Sequence, residues 1–243
     1  MARRVRMVAP LLRIPPMPRS KTAFLFDLDG TLVDSVYQHV LAWKESLDAE
    51  GIDLSVWRIH RKIGMSGGLF THILLRETGL EITRERVERL RVGHAAAYGR
   101  LAAAGSVKPL PGAKALLAWL TDAGIPWGIA TSGRMETAGH NLEALGVDPS
   151  KVPVVTRDQV RHAKPDPDLF VTCAERLGMD IREAVVLGDS IWDMLAAQRA
   201  RSLGIGLLSG GYGENELERA GAYRVFADPA DLLLHIDEVA ARS

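Results

Sequence analysis

One cysteine, Cys173, is all that the 243 residues contain, which excludes an internal disulfide and any zinc site built from several thiolates. An excess of charge is missing too. The 30 Lys and Arg stand against 30 Asp and Glu, so no overall field favours nucleic acid or an anionic membrane surface. Nowhere does an apolar run reach the roughly 18 residues that a membrane span needs. These absences lead to the expectation of a cytoplasmic protein, monomer or homodimer, whose partners are small molecules rather than nucleic acids or membranes. What remains, 47% hydrophobic and 25% charged residues, is the composition of an ordinary globular protein. At roughly 100 to 200 residues per domain, the length allows one or two domains with a sizeable core.

Acid is also absent from the opening stretch, "MARRVRMVAPLLRIPPMPRSK", where Arg13 and Pro10, Pro15, Pro16 and Pro18 break the apolar part. No signal-peptide apolar core can form there, and residues 1–20 read as a flexible basic tail. An organelle transit peptide is the alternative, although such peptides are rich in serine and amphipathic.

The next stretch, "FLFDLDGTLVDS", sets an apolar run, Phe24–Phe26, directly against Asp27 and Asp29. The run suits a buried parallel strand. Two aspartates at spacing two point to one side of an extended chain, and a carboxylate at the end of a buried strand is costly unless a cation meets it. From about Val36 to Ala104 the pattern turns helical, with "HVLAWKESLDAEG", "GLFTHILLRETG" and "TRERVERLRVGHAAAYGRLAAAG" ending at Gly51, Gly79 and Gly105. From Pro111 helices alternate with strands: "IPWGIAT", "VPVVT", "AVVLGDS", "IGLLS" and a last one near "YRVFA". The helix "WDMLAAQRARSLG" is expected to run to Gly204. Repeated βα units predict an α/β fold with a doubly wound, Rossmann-like parallel sheet. Residues 36–105 then form an inserted helical domain, joined by linkers near 34–36 and 105–111 to a core made of 21–35 and 106–243.

In open α/β sheets ligands gather where loops leave the carboxyl ends of strands. The polar residues at those positions are Asp27 and Asp29, then Thr131, Ser132 and Gly133, then Lys164 in "RHAKPDPD", then Asp189 and Asp193. Singly, each has an ordinary structural explanation: a helix cap for Thr131, Ser132 or Asp189, a solvated surface residue for Lys164.

As an ordered set, "DLDGT" (27–31), "ATSG" (130–133), "KPDPD" (164–168) and "GDSIWD" (188–193), they resemble the four signatures of the haloacid dehalogenase superfamily of phosphotransferases. The likeness is to its phosphoglycolate phosphatase and β-phosphoglucomutase-like members with a helical cap, and it covers nearly everything after the tail. It implies that Asp27 is the nucleophile, forming an aspartyl-phosphate, and Asp29 the general acid and then base. It implies Mg²⁺ held by Asp27 and Asp189 and by the backbone carbonyl of Asp29, with Asp193 in support, an oxygen set that suits that ion. Thr131 and Ser132 would bind phosphate oxygens, and Lys164 would neutralise phosphate and nucleophile. The substrate would be a small phosphate ester such as phosphoglycolate or a sugar phosphate.

Further readings stay open. "QHVLAW" sets His39 and Trp43 at the spacing of "YHxxAW" in β-phosphoglucomutases, but the arginine those enzymes carry in the cap is not found after Gly64. His39 is either a helix-surface histidine or a group positioning Asp29. Arg134 reaches a substrate carboxylate or forms a surface ion pair. The segment "KIGMSGG" (62–68) is a loop facing the site or a bare helix–helix turn. A catalytically silent binding protein with the same fold is the reading from another class, and it would be expected to have lost a carboxylate. Cys173 reads as a buried filler, and His60, His72, His94, His140, His162 and His235 show no metal-binding spacing.

Overall fold

The computed structural model describes residues 22–65, 67–80 and 83–240; the basic tail of residues 1–20 and Ser66 of the glycine-rich segment lie outside the described residues. The chain opens with β1 (Ala23–Phe26), buried at every position, as an apolar run without alternation requires. A two-residue strand β2 (Val33–Asp34) leads into a helical lobe of α1 (Val36–Ala49), α2 (Val56–His60), α3 (Gly67–Thr78) and α4 (Arg84–Ala103), and β3 (Lys108–Pro109) leads out of it. The remainder alternates: α5 (Ala113–Asp122), β4 (Trp127–Ala130), α6 (Met135–Leu145), β5 (Val154–Val155), α7 (Asp168–Arg176), β6 (Ala184–Gly188), α8 (Ile191–Ala200), β7 (Leu203–Leu207), α9 (Glu214–Arg219), β8 (Ala222–Phe226), α10 (Pro229–Leu234) and α11 (Asp237–Ala240).

Six strands form one parallel sheet in the order β5-β4-β1-β6-β7-β8. The chain builds outward from β1 to one side through β4 and β5 and then to the other through β6, β7 and β8. The reversal opens a crevice at the carboxyl ends of β1, β4 and β6. Successive residues of β1 serve opposite faces. Phe24 and Phe26 pack with Leu116, Leu120, Ile129 and Leu142, while Leu25 packs with Val186, Phe170 and Ala196. Cys173 is 0% exposed in the second layer, and burial pushes its thiol up to about 12. Among the described residues no helix is long and apolar enough to cross a membrane.

The lobe has its own core, with Val40, Trp43 and Leu47 of α1 against Ile59, Phe70, Leu74 and Leu90. Where the sequence predicts bare linkers, β2 and β3 pair antiparallel, Val33 opposite Pro109 and Asp34 opposite Lys108. The entry and exit of the lobe are thus tied into a two-stranded ribbon.

Other departures have local causes. α8 ends at Ala200 rather than Gly204, with Arg201 in the left-handed region at φ 59°, and β7 starts two residues before the expected 205–209 segment. Gly204 belongs to the strand because a Cβ there would lie 3.1 Å from Met194 Sδ, and one at Gly206 would lie 3.0 Å from Leu217 Cδ1. These glycines admit α8 and α9 to the sheet rather than ending a helix. α2, α9, α10 and α11 span only 5, 6, 6 and 4 residues, too short for a 3.6-residue periodicity to register.

Candidate active site

Asp27 stands one residue beyond β1, its backbone N–H donating to the carbonyl of Leu187 at 2.8 Å, so the strand geometry fixes where its carboxylate points. Lys164, from the loop preceding α7, is 0% exposed and donates from Nζ to Asp27 Oδ1. The same ammonium lies 2.8 Å from Asp193 Oδ1 and 4.8 Å from the centre of the Phe170 ring. The surface-lysine reading of Lys164 is therefore overturned.

Asp189 follows β6, and its Oδ1 accepts a hydrogen bond from Thr31 Oγ1 at 2.9 Å. Asp193, in the first turn of α8, accepts at Oδ2 from the Ser190 N–H at 3.1 Å and Ser190 Oγ at 2.5 Å. Side-chain oxygens of Asp27, Asp189 and Asp193 all lie within 4.8 Å of one another, the only group of acids, histidines or cysteines among the described residues able to hold an ion. Asp193, at the third position of α8, thus completes a capping box with Ser190 while reaching Lys164.

Glycines wall this cluster in. A Cβ at Gly30, where φ is +82°, would sit 2.4 Å from Asp189 Oδ2, one at Gly188 2.2 Å from Asp193 Cβ, and one at Gly210 1.7 Å from Asp189 Oδ2. Gly210→Ala must therefore displace Asp189. A misplacement of about 1 Å costs on the order of 10²-fold in turnover. That loss is the expected result by phosphate-release assay, with an unchanged circular-dichroism spectrum; full activity would show that the position of Asp189 is immaterial.

Three buried carboxylates against one lysine leave an uncompensated negative charge. Two carboxylates ~4 Å apart repel by about 4 kcal/mol at an effective dielectric near 20. Burial pushes Asp27 up to about 7 against the opposing pull of Lys164, and burial with Asp193 and Asp27 lifts Asp189 well above the carboxylate range. Burial disfavours the Lys164 charge, yet Asp193 and Asp27 outweigh it and hold that ammonium protonated. A donor set made only of carboxylate oxygens, short of positive charge, fits a hard divalent cation such as Mg²⁺.

Asp29 is held differently. Its Oδ1 accepts from Ser35 Oγ at 2.7 Å, from Asn141 Nδ2 at 2.5 Å and from His39 Nε2 at 3.0 Å, while Oδ2 lies 3.5 Å from Thr131 Oγ1. Burial raises Asp29, but His39 first, then Ser35 and Lys164, outweigh it and hold the carboxyl below its usual value. Its carboxylate stands outside the three-acid group.

His39 is 8% exposed, not a surface residue, and its ring stacks on Tyr98 at 3.9 Å between centroids. Its Nδ1 lies 3.1 Å from Nε2 of His94, which burial and then His39 push well below the usual histidine value. Tyr98 Oη donates to Asn141 Oδ1 at 2.6 Å, so α1, α4 and α6 all converge on one carboxylate.

Sequence reasoning did not single out Thr31, Ser35, His94, Tyr98 or Asn141. For Asn141 a signal existed, since it sits on the buried face of α6 with Ala138, Leu142 and Leu145 and is 0% exposed. A lone amide on an apolar helical stripe needs a partner.

After β4, Thr131 is 1% exposed and its Oγ1 accepts from the Gly133 N–H at 2.9 Å. Ser132 Oγ is buried with no hydrogen-bond partner. Arg134 lines the cavity but is held in an ion pair with Asp158. A cavity of about 230 Å³ runs from Asp27, Asp29 and Ser132 up to the lobe, where His39, Gly64, Met65 and Gly68 face it. Gly64, at φ +93°, abuts Ser190, and a Cβ there would lie 2.7 Å from its Oγ. Residues 62–65 and Gly68, at the start of α3, thus face the site rather than forming a bare helix–helix turn.

A doubly wound sheet whose switch point carries a cluster of buried acids, a buried lysine and an unpaired hydroxyl, under an inserted helical lobe, defines an α/β enzyme of the hydrolase kind. The chain belongs to the haloacid dehalogenase-like hydrolase family, whose model matches residues 21–201. It is 35% identical over 171 residues to hexitol phosphatase A of Escherichia coli, covering 69% of this chain and 74% of that protein. Against the phosphoglycolate phosphatase of Rhodospirillum rubrum it is 29% identical over 214 residues, covering 86% and 88%. The crystal structure of a hydrolase from Pseudomonas syringae superimposes with a TM-score of 0.88 at 59% identity, covering 90% of this chain and 99% of that one.

Proposed function

We propose that this chain is a Mg²⁺-dependent phosphatase that hydrolyses a small phosphorylated metabolite through an aspartyl-phosphate on Asp27. Family membership and relatives named as phosphatases support a phosphoric monoester hydrolase. The observation that carries the finer reading is the convergence of Asp27, Asp189 and Asp193, the first and last of them on Lys164, beside the unpaired hydroxyl of Ser132.

Asp27 Oδ1 is held by Lys164, which leaves Oδ2 to attack phosphorus as the ester P–O bond breaks. Asp29 gives its proton to the leaving alkoxide. It then takes one from the water that attacks the phosphoaspartate, and the Asp27–P bond breaks to release inorganic phosphate. The hydrogen bonds from His39, Ser35 and Asn141 favour the ionised Asp29 that the second step needs. The proton for the first step arrives in the loaded complex, where a phosphate group with a second pKa near 6 adds negative charge next to this carboxyl. Ser132 Oγ and the backbone amides around Gly133 would receive phosphate oxygens, and Thr131 Oγ1 would help from beside Asp29. Mg²⁺ bound by Asp27, Asp189 and the Asp29 carbonyl, with Asp193 in support, would neutralise charge developing on the phosphoryl oxygens. Residues 36–105 would act as a cap, with the β2–β3 ribbon as its hinge and Gly64 closing on Ser190.

The test is a screen of phosphorylated metabolites, with para-nitrophenyl phosphate as the generic substrate and released phosphate as the readout, in Mg²⁺ and in EDTA. Turnover in Mg²⁺ and none in EDTA is expected; no release from any ester would sink the proposal. The mutase reading draws on His39 and Trp43 at mutase-like spacing, and it predicts isomer interconversion on adding a sugar bisphosphate. Met65 and Gly68 face the cavity where a cap arginine would have to stand, which favours hydrolysis.

Metal binding also has a pH signature in stability. Asp27, at about 7, and Asp189 titrate above their unfolded values, so the metal-free folded protein holds extra protons and loses stability as pH rises above about 4, for Asp27 through about 7. A divalent ion removes that penalty. Saturating Mg²⁺ is therefore expected to raise Tm by about 5–10 °C near pH 8 and by much less near pH 5. An equal shift at both, by differential scanning fluorimetry, would refute binding at these carboxylates.

A further inference from the structure

The leaving-group end of the cavity carries its own charge pattern. Lys62, Arg91, Arg134 and Arg157 line it, with the acids Glu88 and Glu136. Three of these four cations already hold carboxylates. Lys62 Nζ lies 2.8 Å from Glu77 and Arg134 is paired with Asp158. Arg91 takes Glu88 in two-pronged fashion, Nε at 2.9 Å and Nη2 at 2.6 Å, and reaches Glu136 with Nη1 at 3.1 Å. Arg157 donates to the carbonyl of Val160 at 2.8 Å. Together with Glu77 and Asp158, the positive and negative charges of this wall cancel.

The Glu88–Arg91–Glu136 group also has a particular place. Arg91 and Glu88 belong to α4 of the lobe, while Glu136 stands in the first turn of α6, three residues beyond the proposed phosphate loop. The group therefore bridges lobe and core across the mouth of the cavity. A substrate's non-phosphate end must meet it when the lobe is closed.

We infer that this site selects a neutral, hydroxyl-bearing leaving group, the chemistry of a polyol phosphate, and that Glu88, Arg91 and Glu136 set that preference; the inference rests on the phosphatase reading above. Hydroxyls can donate to Glu136 Oε1 and to the remaining lone pairs of the Glu88 oxygens, and accept from Arg91, without breaking an existing pair. A carboxylate at that position faces two like charges, or else evicts Glu136 from Arg91, exchanging one ion pair for another and leaving Glu136 beside the incoming anion. Specificity here comes from repulsion of the wrong substrate as much as attraction of the right one. Trp43 and Phe70, with ring centroids 4.5 Å apart, give the carbon chain an apolar wall.

The test compares kcat/KM for sorbitol 6-phosphate and for phosphoglycolate, in Mg²⁺, for the wild type and for Glu136→Gln. The wild type is expected to prefer the polyol phosphate by at least about tenfold. Glu136→Gln, which keeps the side-chain shape and frees Arg91, is expected to shrink that preference about tenfold, chiefly through a lower KM for phosphoglycolate. A wild-type preference for phosphoglycolate, or an unchanged ratio in a folded Glu136→Gln protein, overturns the inference alone. Failure to release phosphate even from para-nitrophenyl phosphate overturns the phosphatase reading, and the inference with it.

Discussion

Asp27→Asn is expected to yield a folded protein that releases phosphate at least about 10⁴-fold more slowly than the wild type, the scale on which removal of a nucleophile acts. The amide keeps the shape and can still accept from Lys164 through its oxygen, but it has no oxygen anion to attack phosphorus. Stability should move the other way. Asp27 is one of three buried acids sharing a single ammonium, and burial already pushes it up to about 7. Its ionisation is thus a cost to the metal-free fold above that pH. In EDTA near pH 8, Asp27→Asn should melt no lower than the wild type, whereas the Mg²⁺-induced rise in Tm should shrink because one donor is lost. Turnover equal to wild type would eliminate Asp27 as nucleophile. A large fall in Tm in EDTA would show instead that the carboxylate is a net structural asset.

Lys164→Met should have the opposite stability profile and a comparable effect on activity. The lysine is fully buried between Asp27 and Asp193, and its removal leaves these acids, with Asp189, facing one another without a cation. Breaking a buried pair by removing one partner costs about 3–5 kcal/mol. For a chain of this size that corresponds to a fall in Tm on the order of 10 °C. The loss should be largest above about pH 7, where Asp27 must ionise, and Mg²⁺ should recover part of it by supplying the missing charge. A thermal-denaturation series over pH with and without Mg²⁺ reads all three effects. A variant as stable as wild type at every pH would show that Lys164 does not offset charge on these acids in the native protein.

Much of this was legible in the chain because the sheet announces itself locally. Apolar runs such as "AVVLG" end in acids, and glycines stand at the turns, so β1, β4 and β6 and the residues beyond them could be placed from periodicity and composition. The same logic failed where glycine served packing rather than punctuation. Gly204 and Gly206 lie inside β7 because Met194 and Leu217 press on them, a fact about neighbours that are remote along the chain. It failed again for α2, α9, α10 and α11, whose boundaries are set by tertiary contacts and caps. The β2–β3 ribbon is two residues per strand, and no sequence pattern of that length could predict it.

The candidate site divides in a similar way. Residues that follow a strand directly were findable, as Asp27, Thr131, Ser132 and Asp189 were. Asn141, Tyr98 and His94 were not, because each meets the Asp29 network only after α1, α4 and α6 have packed together. His39 could be read either way until its ring was seen to lie against Tyr98 with Nε2 on Asp29. Arg134 illustrates the reverse case, since its side chain was a fair candidate for the substrate and Asp158 claims it.

By itself the sequence determined which chemical groups are present and on which side of the sheet they emerge, because strand direction and side-chain alternation are properties of neighbouring residues. Only the tertiary structure decided that Lys164 is a buried counter-charge rather than a surface lysine, that Asp29 is held by the lobe as well as the core, and that Arg91 and Arg134 at the cavity mouth already hold carboxylates. Those outcomes depend on distances that only packing sets, Lys164 and Asp27 being 137 positions apart and Asp29 and Asn141 112, and it is burial, by lowering the local dielectric, that turns such distances into energies.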